Sequence, residues 1–147
     1  MGKLIAARTA QTVLEAEFVF NFDDTMENTA GNTVDFGKTN LGGAAGSFMV
    51  IPLPLGATVL AGEIVTNTAF DTAGFDVTFG DTSVANRYLA STDLKGAGRQ
   101  ALTPTGYVGN GENLVLGFSS DDVCTAGKMT VRVSYTVQNR VSEVTIK

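Results

Sequence analysis

The side chains that could do chemistry in this chain are few. Carboxylates stand at close spacing in three places: Asp23-Asp24, the series Asp71, Asp76 and Asp81, and Asp121-Asp122. Such pairs serve glycosidases as acid and base, or supply oxygen ligands to Ca²⁺. Here they flank runs of alternating residues, where Asp closes turns by accepting nearby backbone N–H groups. Their spacing does not match an EF-hand, so turn chemistry is the preferred reading. Cys124 is the single thiol, with Asp121 and Asp122 close by and only Lys128 as a neighbouring cation. Negative neighbours keep a thiol protonated, which makes Cys124 a small, semi-buried hydrophobe. Gly37-Lys38-Thr39 resembles the tail of a phosphate loop, but Asn32 stands where that loop needs its first glycine. Gly109-Asn110-Gly111 begins like a dinucleotide fingerprint, but Leu114 occupies the third glycine position. It is expected to be a hairpin turn.

Composition excludes much of the rest. The chain has 147 residues, no His, no Trp and one Cys. It therefore lacks the usual ligand sets for Zn, Cu and haem, the Ser–His and Cys–His catalytic pairs, and any intrachain disulfide. No catalytic residue, cofactor or metal is assigned. Fifteen acidic against ten basic residues leave a net charge of −5, the wrong sign for gripping phosphate backbones. The basic residues are dispersed, so no polybasic patch forms. Charged residues are only 17% of the chain, while Gly and Thr are abundant, which points to a β-protein with much of its surface against other protein. No apolar run is long enough for a secretory signal or a membrane-spanning helix. The expectation is a soluble protein made in the cytoplasm, with no nucleic-acid or membrane partner.

The elements that must position these groups read as strands. Three Phe share one parity across Phe18–Phe22, and Phe75–Phe79 alternates apolar with polar. Met129–Val137 interleaves five apolar residues with four polar ones. A period of two marks strands with one face in a core. Ser47–Leu53, Asn113–Ser119 and Ala57–Phe70 add further strands, the last long enough for one bent strand or two. The Phe and Tyr residues fall at core parity and are taken as packing. Only Leu4–Ala16 and a turn or two around Val84–Leu89 could be helical. Roughly six to eight short strands separated by turns predict a β-sandwich or barrel. The fold is expected to be an all-β, jelly-roll-like β-sandwich, with an immunoglobulin-like sandwich as the alternative. Residues 1–16 are expected to form an N-terminal arm, and 17–147 a single domain.

Several stretches have a familiar order: Gly80-Asp81, Asn86-Arg87-Tyr88-Leu89-Ala90-Ser91-Thr92-Asp93-Leu94-Lys95, Thr105-Gly106-Tyr107, Asn113-Leu114-Val115-Leu116, and the closing run Ala126–Tyr135. Over roughly Ser47–Arg140 the chain resembles small virion proteins of tailed bacteriophages, the capsid decoration (cement) or minor head proteins. The resemblance implies a structural, non-enzymatic role on the capsid exterior of a virion. It implies two partners, the major capsid protein and further copies of the chain as a dimer or trimer. Lys3, Leu4, Ile5, Arg8 and Leu14, in the unpatterned arm, are the candidates for capsid contact; the arm could equally cap its own sandwich as a first strand or helix. Phe48, Met49 and Ile51 suit either a subunit interface or the core. The other readings are a tail or neck component, or a carbohydrate- or receptor-binding module using Tyr88 or Tyr107.

Overall fold

A computed structural model of the chain describes residues 13–37 and 46–137. Their alternation becomes two antiparallel sheets packed face to face. The first contains β1 (Leu14–Asn21), β11 (Lys128–Val137), β5 (Leu55–Thr68) and β8 (Gly98–Ala101), in that order. A short strand, β9 (Val108–Asn110), also pairs with β5. Because β11 covers one edge of β5 from Ala57 to Thr68, β8 and β9 must share the other edge. The second sheet runs β4 (Ser47–Ile51), β10 (Leu114–Ser120), β6 (Phe75–Asp81) and β7 (Leu89–Asp93). A separate hairpin pairs β2 (Thr25–Glu27) with β3 (Thr33–Asp35). The fold is an all-β sandwich, as the periodicity implies.

Parity decides which residues meet inside. Met129, Val131 and Val133 of β11 and Phe75, Val77 and Phe79 of β6 are fully buried, while Lys128 and Arg132 face outward. The stretch expected as one bent strand or two is a single strand with two bulges. Leu60 and Asn67 are the extra residues, where the β5–β11 register shifts. Each bulge adds local twist and lets fourteen residues wrap the core without breaking the ladder.

Six phenylalanines tie the layers into a closed circuit. Ring centroids step from Phe20 to Phe36 (4.3 Å), to Phe48 (4.7 Å), to Phe118 (5.3 Å), to Phe75 (4.9 Å) and to Phe70 (4.1 Å). Phe70 returns to Phe20 at 6.2 Å. These are offset and tilted contacts of the favourable kind. Phe36 and Phe70 lie outside the strands, so two connections are part of the core. Gly127 makes room for Phe70, since a Cβ there would lie 2.3 Å from the ring. Phe36 is held by its N–H bond to the Asp24 carbonyl (3.2 Å), and the next carbonyl, Gly37, accepts from the Cys124 N–H (3.2 Å).

Four expectations are corrected. Asn110-Gly111 is not a hairpin turn: β9 pairs with β5 and β10 with β4 and β6, so this turn carries the chain from one sheet to the other. Val84–Leu89 makes turns and the start of β7, not helix, because its backbone bonds to β6 through Tyr88 N–H and the Phe79 carbonyl (2.9 Å). Leu14–Ala16, at the end of the stretch considered for helix, are strand residues paired with Tyr135, Ser134 and Val133. Eleven strands form among the described residues, more than the alternation disclosed. No helix among them is long and apolar enough to cross a membrane.

Replacing Phe36 by Ala should remove one link of the aromatic circuit and the anchor of the β2–β3 hairpin. Urea unfolding should show a loss of about 3–5 kcal/mol, as for large buried aromatics elsewhere. A loss below about 1 kcal/mol would show that the hairpin does not depend on that ring.

Candidate functional site

Three of the carboxylates singled out for chemistry, Asp24, Asp71 and Asp81, are spent on the protein's own backbone. Asp81, at the end of β6, is buried, and its Oδ1 accepts from the N–H groups of Ser83 (2.9 Å) and Val84 (2.8 Å). Its Oδ2 receives the Arg87 Nε at 2.5 Å. Gly80 allows this turn to lie directly on the sheet, since a Cβ there would meet the Val84 carbonyl oxygen at 2.2 Å. The Arg87 guanidinium then sits 3.5 Å from the Tyr107 ring centroid, a cation–π contact. Tyr107 donates its hydroxyl to Glu112 (2.5 Å), and Ser83 Oγ donates to the same carboxylate oxygen (3.2 Å). The connections before β7 and before β10 are thereby locked together.

These bonds set the protonation states. The Tyr107 hydroxyl, followed by the Asn110 N–H, holds the Glu112 carboxyl down to about 2 from the ordinary 4.5. The same bond raises Tyr107, because losing its proton would place two negative charges together. Burial pushes Tyr88 up. Tyr88 is only 3% exposed and faces the core, as its parity implies, which removes it from the alternative reading as a binding aromatic.

A second clamp closes the other end of the sandwich. Asp71, after β5, accepts from the Thr125 hydroxyl and from the N–H groups of Thr125 (2.6 Å) and Ala126 (3.0 Å), just before β11. Its carboxyl is lowered, chiefly by the Thr125 hydroxyl. The Asp122 N–H donates to Thr72 Oγ1 (3.0 Å) and the Asp121 N–H to the Gly74 carbonyl (3.1 Å). Asp24 caps Asn21 N–H (2.7 Å), and Asp93 accepts from Phe75 N–H (3.2 Å) and Lys95 N–H (3.1 Å). Cys124 is buried, and desolvation first, then Asp71, pushes its thiol up. Among the described residues no group of three or more His, Cys, Asp or Glu could hold a metal ion. Chemically, the arrangement orders loops.

The outer face of the first sheet carries a row of ion pairs. Arg132 on β11 bonds Glu17 on β1 (2.7 Å) and Glu63 on β5 (3.2 Å), and Glu63 also takes Arg99 from β8. The Arg99 bond is the largest of the causes that lower Glu63. A shallow depression of about 360 Å³ lies at the row, lined by its four members and by Glu15, Ala61 and Ser134 among others. Alternation places Glu17 and Arg132 on outward parity, but their alignment with Glu63 and Arg99 depends on strand register, which no single stretch encodes. Of the arm candidates, Leu14 begins β1 opposite Tyr135. Lys3, Leu4, Ile5 and Arg8 lie outside the described residues. Phe48 and Ile51 are core, whereas Met49 is 46% exposed.

No family model and no curated protein matches the chain. Solved structures do. A chain of the acid-stable capsid of Helicobacter pylori bacteriophage KHP30 aligns at TM-score 0.64 and 14% identity, over 95% of this chain and 98% of that one. A chain of the cyanophage Pam1 capsid asymmetric unit aligns at 0.56 and 17%, over 93% and 90%. One from the capsid of Ralstonia phage GP4 aligns at 0.53 and 11%, over 95% and 92%. At these identities the likeness is one of fold.

Glu112 supplies a test of the lock. Its folded value lies below the ordinary one, so the ionised carboxylate stabilises fully above about pH 4.5. That contribution is lost as pH falls toward 2. Wild type should melt higher than Glu112→Gln at pH 6, and the gap should close between pH 4.5 and 2. Parallel melting curves across that range would show that the ionised carboxylate contributes nothing to the lock.

Proposed function

We propose that this chain is a structural protein of a tailed-phage virion that binds the outside of the assembled capsid as a decoration, or cement, protein. The observation that carries the reading is the end-to-end likeness to chains of three phage capsids. Each match spans nine-tenths or more of both partners, so a whole small chain is matched and not a fragment of a larger one. The loop locks support it. Asp71, Asp81 and Glu112 immobilise connections that an enzyme would leave open for substrate, which suits a rigid brace.

The energetics follow from mass action. A ligand that binds only the expanded, assembled lattice stabilises that state in proportion to its occupancy. Modest contacts suffice when one molecule grips two subunits of the major capsid protein together, because the second contact becomes intramolecular. Lys3, Leu4, Ile5 and Arg8 are proposed as capsid contacts, with Leu14 marking where the chain enters the sheet.

Purified protein should co-sediment with expanded heads stripped of decoration and raise their disruption temperature. Heads that remain bare at saturating protein would overturn the reading. Removing residues 1–12, which leaves β1 whole, should weaken binding at least tenfold without lowering the melting temperature of the domain. Unchanged binding would assign the contact to the sandwich itself.

A further inference from the structure

We infer that the outer face of the first sheet is a self-complementary surface that pairs two copies of this chain across a two-fold axis running parallel to the strands. The inference does not rest on the capsid reading and is tested on the free protein.

Across the middle of this face four charges alternate in sign. From one edge to the other the row reads Glu17, Arg132, Glu63, Arg99, one residue from each of β1, β11, β5 and β8. Register puts the first three on one line, Glu17 opposite Arg132 and Arg132 opposite Glu63. Arg99 lies two residues along β8 from Ala101, the residue opposite Glu63; it stands opposite Val65 and reaches back to Glu63. Three of the four are well exposed, at 52% for Glu17, 51% for Arg132 and 61% for Arg99.

An alternating row of even length has a special property: reversed, it becomes its own complement. A two-fold axis in the plane of contact, along the strands and between β11 and β5, reverses the row. Glu17 then faces the second copy's Arg99, and Arg132 faces its Glu63, with the same two pairs repeated by symmetry. An axis perpendicular to the strands would leave the order unchanged and set Glu against Glu and Arg against Arg. Electrostatics therefore selects one isologous arrangement out of the two face-to-face choices.

The relief of the face fits the same arrangement. Next to the row stand Ala61, Ala101 and Ser134, short enough for a second sheet to approach at about 10 Å. The bulged Leu60, 43% exposed, lies on β5 beside the proposed axis, where its counterpart in the second copy comes alongside it. Strands β1, β11, β5 and β8 hold eight, ten, fourteen and four residues; at about 3.4 Å by 4.8 Å per residue they present on the order of 500–600 Å² per copy. Two copies bury about 1,000–1,200 Å², which meets the threshold for a specific interface.

Sedimentation equilibrium of the wild-type chain at low salt should give twice its mass of 15.3 kDa. Arg132→Glu, which sets like charges against each other across the axis, should weaken the dimer at least tenfold while leaving the circular dichroism and melting temperature of the domain near wild type. The fully inverted variant, Glu17→Arg, Glu63→Arg, Arg99→Glu and Arg132→Glu together, should dimerise again. A wild-type monomer at about 100 μM, an oligomer other than a dimer, a dimer indifferent to Arg132→Glu, or a fully inverted variant that stays monomeric would each overturn the inference.

Discussion

The sandwich depends on a closed ring of phenylalanines, and that ring imposes a condition on the rest of the chain. Four of its members, Phe20, Phe48, Phe75 and Phe118, come from strands of both sheets, but Phe36 and Phe70 come from connections. A connection that delivers a core side chain brings its backbone toward the interior, and every polar group it carries there needs a partner. The aromatic packing is therefore stable only if the connections are themselves tied down.

The carboxylates meet that condition. Asp71 pins the segment before β11 against the one that carries Phe70, and Asp24 and the Asp24 carbonyl fix the approach to Phe36. Asp81, Arg87, Tyr107 and Glu112 do the same at the opposite end. A protein poor in charge has placed much of its acid where single oxygens accept two or three N–H or O–H groups. In the pair Asp23-Asp24, for instance, the Asp24 carboxylate takes its partner from the backbone at Asn21.

The sandwich was legible because its main strands obey a period of two. Phe18–Phe22, Phe75–Phe79 and Met129–Val137 needed no more than parity to be placed with the correct face inward. What escaped has a physical reason in each case. β8 and β9 are short and carry no alternating apolar set, so only their pairing with β5 makes them strands. The row Glu17–Arg132–Glu63–Arg99 joins positions up to 115 residues apart in the chain. Each of its members is an ordinary outward-facing charge until register aligns them, and register belongs to the sheet, not to any local stretch.

The pairing of Leu14 with Tyr135 puts the entry and exit of the described chain on neighbouring strands, at the same end of the sheet. The mechanical consequence is directional. A pull applied through both ends peels β1 from β11 one rung at a time, beginning at Leu14, and meets little resistance at any moment. A pull along the strand axis between β5 and β11 must shear ten paired positions together. The domain is thus compliant when drawn by its ends and stiff when loaded along its two longest strands.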